Sequence, residues 1–301
     1  MENKTAPSSC PIFTCLTLED WEQRAEKHRT RLSDFIEEHR NKRTLGLKHP
    51  VYDFLFSYYS FSRGQLLRWS PGILVGLESN SESNLDWKEF YTKRGSLYYI
   101  DPGTFPSHRI PYLKWAIQFL SLTIERTPIF HCFGLHEWAM LYKSESKQHP
   151  QVPLRVSHST LNEIIEQSQL CCTHYDAFRF FTAESKPQNK SQLTRESVID
   201  SEQPACIHAN MDLYKFGYKI APFIASDLLL ELFLLARRTR ELDMRASPYD
   251  LCEYGFAAIK IETKTGREEY VLEQRKIHSE SMPLRKKLLD TYLSLLPCQD
   301  R

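Results

Sequence analysis

Hydrophobic and polar positions alternate along most of this chain with the period of a helix. From Leu18 to Arg43 the apolar residues Leu18, Trp21, Ala25, Leu32, Phe35 and Ile36 share one face, and the opposite face is heavily charged. This predicts an amphipathic surface helix. His49-Pro50 opens an aromatic run, Val51 to Phe61, read as a buried helix with Pro50 at its first position. Ser70-Pro71-Gly72 and Asp101-Pro102-Gly103 mark turns, Ser79 to Asn84 a polar loop, and 96–100 a short strand. A helix is expected from Pro111 to Glu125.

In the second half, residues 143–153 form a polar connection. Residues 182–203 make a long polar loop of a kind that ordinary domains seldom keep without a use. Helices are predicted over roughly 204–221 and 226–242, separated by the stop and restart signals Pro222 and Ser226-Asp227. The second is apolar on almost every side from Leu228 to Ala236, so it is expected to be buried, with Glu231 seeking Arg237, Arg238 or a cation elsewhere. Ala258 to Thr263 alternates like a strand into a Lys-Thr-Gly turn, and two amphipathic helices, 267–278 and 282–296, close the chain. The expected fold is mainly α: one globular domain over 17–298 with a small β element, a loosely ordered lead over 1–16, and a possible sub-boundary near 143–153.

Composition narrows the function classes. The formal net charge of +1, from 39 basic and 38 acidic residues, gives no global field that would draw the molecule to DNA or an acidic membrane. A nucleic-acid site would need a local basic patch. No apolar stretch reaches the roughly 18 residues of a membrane span. The first ten residues lack the apolar segment of a secretory signal. The eight cysteines include no Cys-x-x-Cys pair, and a reduced, cytoplasmic protein is the expectation.

Four segments concentrate chemistry. In Phe130 to Trp138, His136 and Glu137 sit among aromatics, where they can supply a metal ligand and its carboxylate partner, a general base, or ordinary hydrogen-bonded core groups. In Cys171 to Phe181, His174 and Asp176 would share a face in a strand, whereas in a helix Asp176 would pair with Arg179. Burying such charges costs several kcal/mol, which favours a functional reason for them. In Gln203 to Lys215, a helix would align His208, Asp212, Lys215 and Lys219 as one stripe, with Asn210 beside His208 in the first turn. That stripe is a solvated face, an anion site or a pair of metal ligands. In Leu242 to Asp250, two acids and Arg245 end the apolar helix, as a capped end or as the rim of a site. The chain has no phosphate-binding glycine loop, no Gly-x-Ser-x-Gly elbow and no His-Glu-x-x-His motif.

Five ordered motifs carry a family resemblance. They are His-Pro-Val-x-Asp-Phe-Leu-Phe-x-Tyr-Tyr-Ser from His49, Cys-Phe-Gly-Leu-His-Glu-Trp-Ala-Met from Cys132, and His-Tyr-Asp-Ala-Phe-Arg-Phe-Phe-Thr from His174. His-Ala-Asn-Met-Asp-Leu-Tyr-Lys from His208 and Leu-Asp-Met-Arg-Ala-Ser-Pro-Tyr-Asp-Leu from Leu242 complete the set. Over about residues 18–290 the chain resembles a bacterial family commonly labelled 3-methyladenine DNA glycosylase. Where many members read Arg-Trp-His-Pro-Gly, this chain has Ser70. The glycine-rich hairpin of helix-hairpin-helix glycosylases is absent.

The resemblance implies hydrolysis of the N-glycosidic bond of alkylated purines in damaged DNA, without a cofactor, on a base flipped into an aromatic pocket. The resemblance assigns no catalytic residues; the motifs themselves offer Asp176, His174, Arg179, His208 and Asp212 as the catalytic set. Trp138, Tyr175, Phe178, Asn210, Lys215 and Arg245 would contact substrate. The residues also allow a metal-dependent oxygenase or hydrolase of a small molecule, with Fe, Zn or Mn held by His136, Glu137, His174, Asp176, His208 and Asp212 from several helices. A non-catalytic binding protein with internal polar networks is the third reading.

Overall fold

The computed structural model describes residues 14–144 and 149–297. The chain is mainly α with a small four-stranded sheet among the described residues. Thr14–Leu16 forms β1, a strand placed where a loose lead was expected, and residues 1–13 lie outside the described ones. The helix α1, Leu18–Thr44, follows as predicted, with the Thr17 side chain accepting from the Asp20 amide and Glu19 and Asp20 in the first turn. Such a cap contributes about 1 kcal/mol.

The aromatic run is not one helix. Only α2, Phe54–Ser57, is helical, and α3, Arg63–Leu67, starts afresh from a capping box between Ser62 and Gln65. The competing interactions are visible. His49 Nδ1 accepts from the amides of Val51 and Tyr52, which turns the chain before α2. The rings then pack in several directions: Phe54 stacks on Tyr58, while Tyr59 and Phe61 meet Tyr214 and Tyr218.

The strands β2, Val75–Glu78, β3, Tyr91–Arg94, and β4, Leu97–Ile100, complete the sheet in the order β1-β2-β4-β3. Pairing is antiparallel except between β1 and β2, with Gly76 opposite Tyr99 and Lys93 opposite Tyr98. One sheet face and α1 enclose a small core in which Trp21 stacks on Trp69 and Leu77 is fully buried. The larger core holds residues from Leu32 to Leu296.

The helices α4, Ile110–Glu125, α5, Leu135–Ala139, α6, His158–Glu166, α7, Tyr175–Phe178, and α8, Val198–Ser201, come next. Part of the connection at 143–153, residues 145–148, lies outside the described residues. The predicted helix over 204–221 is two pieces, α9, Ile207–Met211, and α10, Leu213–Lys219, meeting at Asp212. The break is slight, since the Asp212 amide still reaches the His208 carbonyl and the Phe216 amide the Asp212 carbonyl.

Helix α11, Ser226–Ala246, is buried along most of its length and packs on α9, α10 and α12, Lys264–Ser294. Each fully buried Leu or Phe on it contributes about 1.5–3 kcal/mol. Glu231 does not pair within α11; it reaches Arg31 of α1 at 2.9 Å. The strand expected over Ala258 to Thr263 is absent because no strand lies beside it. Ile259 and Ile261 nonetheless alternate into the core, and the Ile259 amide bonds the Arg245 carbonyl. The two closing helices are one. Thr263 caps it, Pro283 is carried inside it, and Lys-Thr-Gly is its first turn rather than a loop. Gly266 is needed there because an added Cβ would stand 2.0 Å from the Lys260 carbonyl oxygen. No helix among the described residues is long and apolar enough to cross a membrane.

The turn before α2 depends on a neutral His49. Protonated Nδ1 cannot accept the two amides, and burial, aided by Lys42, lowers its pKa from 6.5 to about 4. Between about pH 4 and 6.5 the unfolded chain therefore binds the extra proton, so His49 contributes stability above this window that is lost as pH falls through it. The expected loss is on the order of 3 kcal/mol. Urea unfolding followed across this window should show a shallower pH slope in His49→Asn, which keeps an acceptor but does not titrate; an unchanged slope would refute the assignment.

Candidate functional site

Four segments meet beside the middle of α11. The first is the start of α5. Gly134, at φ +72°, makes the turn, and an added Cβ would press on Ala246 and Tyr270 at 3.0 and 3.2 Å. His136 follows, with Nε2 2.6 Å from Asp243 Oδ1 of α11. Asp243 Oδ2 accepts from Arg240 at 2.5 Å, and the same guanidinium nitrogen reaches Glu137 at 3.2 Å. These four side chains are buried. Burial opposes the charge of Asp243, but His136 and Arg240 hold its carboxyl well below the usual range.

Helix α9 brings His208 edge-on to His136, ring centroids 4.4 Å apart, and stacked on His174 at 5.2 Å and 17°. His174 precedes α7, and its Nδ1 is 2.6 Å from Glu202 Oε2, itself almost fully buried at the end of α8. Three imidazoles thus lie in a row with a buried carboxylate at each end. Burial disfavours the charged form of His174, yet Glu202 raises its pKa overall. Burial, with His136 and His174 adding to it, pushes His208 well below the ordinary histidine range and leaves it neutral.

The remaining Nε2 of His174 lies 4.0 Å from Asp212 Oδ2, at the junction of α9 and α10. Asp212 also accepts from Tyr59 at 3.1 Å and from Lys215 at 3.0 Å. Lys215 extends to Asp176 at 3.3 Å, which further accepts from Tyr58 at 3.0 Å and pairs with Arg179 at 3.2 Å. Burial would discharge Lys215, but Asp212 and Asp176 raise its pKa and hold the ammonium charged. Burial pushes Asp176 up, but Lys215, His174 and the Tyr58 hydroxyl together outweigh it, so Asp176 sits below the usual range.

This cluster is the floor of a cleft of about 640 Å³. One wall is a shelf of near-parallel rings, Trp115, Phe119 and Phe216, with interplanar angles of 18° to 24°. Trp115 leaves 40% of its surface exposed. Arg179 and Arg195 supply cations to the lining, and Lys219 lies over Tyr112 beside the shelf. A smaller cavity of about 190 Å³, bounded by Phe54, Tyr58, His149 and Arg240, shares His174, Asp176 and Asp212 with the cleft and opens on His208.

The sequence-predicted residues therefore divide. His174, Tyr175, Asp176, Arg179, Asp212 and Lys215 line the cleft, and His208 faces the smaller cavity. The helix stripe is real in part, since Asp212, Lys215 and Lys219 all point to the cleft. Four expected substrate contacts are not there. Trp138 is fully buried, donates from Nε1 to the Ala246 carbonyl and lies under Arg155. Phe178 packs in the core against Phe181. Asn210 is buried and accepts from Arg285. Arg245 points away, to the Ala257 carbonyl and Glu269. Glu137 is committed to Arg240 and belongs to none of the compact donor groups found among the described residues.

Those groups are His136/His208/Asp243, His174/Glu202/Cys206 and His174/Asp176/Asp212, each with donor atoms within 4.8 Å of one another. In the last, Lys215 already provides a positive charge between the two carboxylates. Sequence reasoning missed Glu202, Tyr58, Tyr59 and Arg240, and saw Asp243 only as part of a helix end. Glu202 ends a polar loop without periodicity, so only its place before Gln203-Pro204 hinted at it. Arg240 and Asp243 carried a signal, two charges at i, i+3 on a helix otherwise apolar enough to be buried. No protein-family model, curated protein or solved structure matches the chain.

Lys215 is the electrostatic keystone of the cleft floor. Lys215→Met should leave Asp212 without its cation and Asp176 with Arg179 alone, and lower stability by about 2 kcal/mol, a buried-pair value reduced for partial exposure. Adding Asp176→Asn should restore part of that loss. Chemical denaturation of both variants provides the measurement, and a double variant no more stable than Lys215→Met alone would contradict the coupling.

Proposed function

We propose that the protein hydrolyses the N-glycosidic bond of a purine, with alkylated purines in damaged DNA as the substrate class. The observation that carries this reading is the facing pair His174 Nε2 and Asp212 Oδ2, 4.0 Å apart beneath an aromatic shelf. A flat, electron-poor base that has been turned out of the helix stacks on Trp115 and Phe216. Cations at Arg179, Arg195 and Lys219 suit the phosphates on either side of it, and they give the neutral chain the local basic surface that DNA requires.

The chemical demand is modest because an alkylated purine leaves as a neutral base. The bond from C1′ to the ring nitrogen breaks with its electron pair going to the purine, and water adds to C1′. Asp212 takes the proton of that water, and His174, held in orientation by Glu202 through Nδ1, hydrogen-bonds the same water from Nε2. The carboxylates of Asp212 and Asp176 stabilise the positive charge that develops on the sugar. Asp176 is the more heavily engaged of the two, by Arg179, Lys215 and Tyr58, which favours Asp212 as the proton acceptor.

Release of free base from methylated DNA tests the reading. The wild-type protein should release alkylated purine, and Asp212→Asn should slow release by about 10²–10⁴-fold. Trp115→Ala should chiefly raise KM. Absence of release by the wild-type protein, or full activity in Asp212→Asn, would refute it.

A further inference from the structure

The hydrolytic cleft uses one face of the histidine row and leaves the other unexplained. We propose that His136, His208 and Asp243 form a binding site for a single divalent transition-metal ion of the zinc class, separate from the cleft. The three residues come from α5, α9 and α11, and one donor atom from each already lies within 4.8 Å of the others. Tetrahedral donors on a common ion with bonds near 2.0–2.2 Å stand roughly 3.4 Å apart, so closure needs side-chain movements of about 1.4 Å or less.

Two further observations point to a ligand. The His208 ring makes aromatic contacts with His136 and His174 but no side-chain hydrogen bond among the described residues. The ring is half-buried and also faces the cavity of about 190 Å³, which leaves it open to an incoming ion. A cavity of about 20 Å³ borders His136 and His208 without reaching Asp243, so it offers an approach to the two imidazoles and not the ion's own space. Two imidazoles and one carboxylate suit a borderline-soft ion rather than calcium or magnesium.

The charges around Asp243 allow such an ion. Arg240 binds the far oxygen of Asp243, but it is shared with Glu137, so the three together carry one negative charge. The near oxygen holds only the proton that it shares with His136. A bound cation would take the place of that proton, and Arg240 and Glu137 would then hold the ligating carboxylate in orientation. The other two groups are less suited: Lys215 stands between the carboxylates of one, and in the other burial holds Cys206 as the thiol rather than the thiolate that a metal takes.

Chelator-treated protein titrated with Zn²⁺ in a calorimeter, and with Co²⁺ followed by visible absorption, tests the site. One equivalent should bind, and His208→Ala and Asp243→Asn should each weaken binding by 100-fold or more. Asp212→Asn should change it by less than threefold. Asp243→Asn removes a buried charge and can unfold the chain, so circular dichroism accompanies each titration and His208→Ala, which loses no hydrogen bond, decides. No binding by the wild-type protein, or undiminished binding by a folded His208→Ala, would overturn the proposal. Equal loss in Asp212→Asn would move the ion to the cleft and overturn it as well. Base release by chelator-treated protein reports on the hydrolytic reading separately, because that step uses no metal.

Discussion

The structure depends on a charged cluster buried in its centre. Arg240 and Asp243 sit three residues apart on α11, at 3% and 0% exposure, inside a helix otherwise packed through leucine and phenylalanine. Neither charge survives there alone, and removing one partner of such a pair costs about 3–5 kcal/mol. Their remaining valences reach Glu137 and His136 and so fix α5 against α11. Trp138, donating to the Ala246 carbonyl one turn further along, seals the same contact. The cluster thus orients α5 more narrowly than apolar packing alone would.

From this anchor the histidine row follows. His136 is held by Asp243, His208 is held by ring contacts alone, and His174 is held by Glu202. Each end of the row is fixed by a carboxylate and the middle is not. That asymmetry suits a row whose ends are positioned and whose centre is free to take a ligand. Beyond His174 a second compensated centre begins, in which Lys215 bridges Asp212 and Asp176 and two tyrosine hydroxyls complete the carboxylates. The molecule therefore sets two kinds of charge balance side by side, one buried and closed by arginine and one at the cleft and closed by lysine, with imidazoles between.

The aromatic residues do two kinds of work. Those of the run from Tyr52 to Phe61 turn inward and interlock with Tyr214, Tyr218 and Phe233. Those of α4 and α10 lie nearly parallel, as a shelf rather than a knot, with Phe119 and Phe216 largely buried and Trp115 exposed. Edge-to-face contacts satisfy the ring quadrupoles within the core, whereas parallel rings leave a broad face for another flat group.

Local chemistry in the sequence was enough to determine α1, α4 and α11, though not that the closing helix is a single one. The apolar stripe of α1, the continuous burial of α11 and the stop before Pro222 depend on neighbours within a few turns, and they appear where the pattern placed them. The grouping of His174, Asp176 and Asp212 was also legible, because charged groups set among aromatics must be paired or used. Tertiary structure alone decided the rest. Whether Val51 to Phe61 became a helix turned on where each ring found a partner, and whether Ala258 to Thr263 became a strand turned on the absence of a neighbouring strand. Trp138 and Asn210 looked like site residues because they stand beside histidines in sequence, yet a helix turns adjacent residues to different sides. Glu202, Arg240 and Asp243 joined the site across separations of 28 to 107 residues, as in Glu202 to His174 and Asp243 to His136. Such contacts are set by the packing of α5, α9 and α11 together, and no local period encodes them.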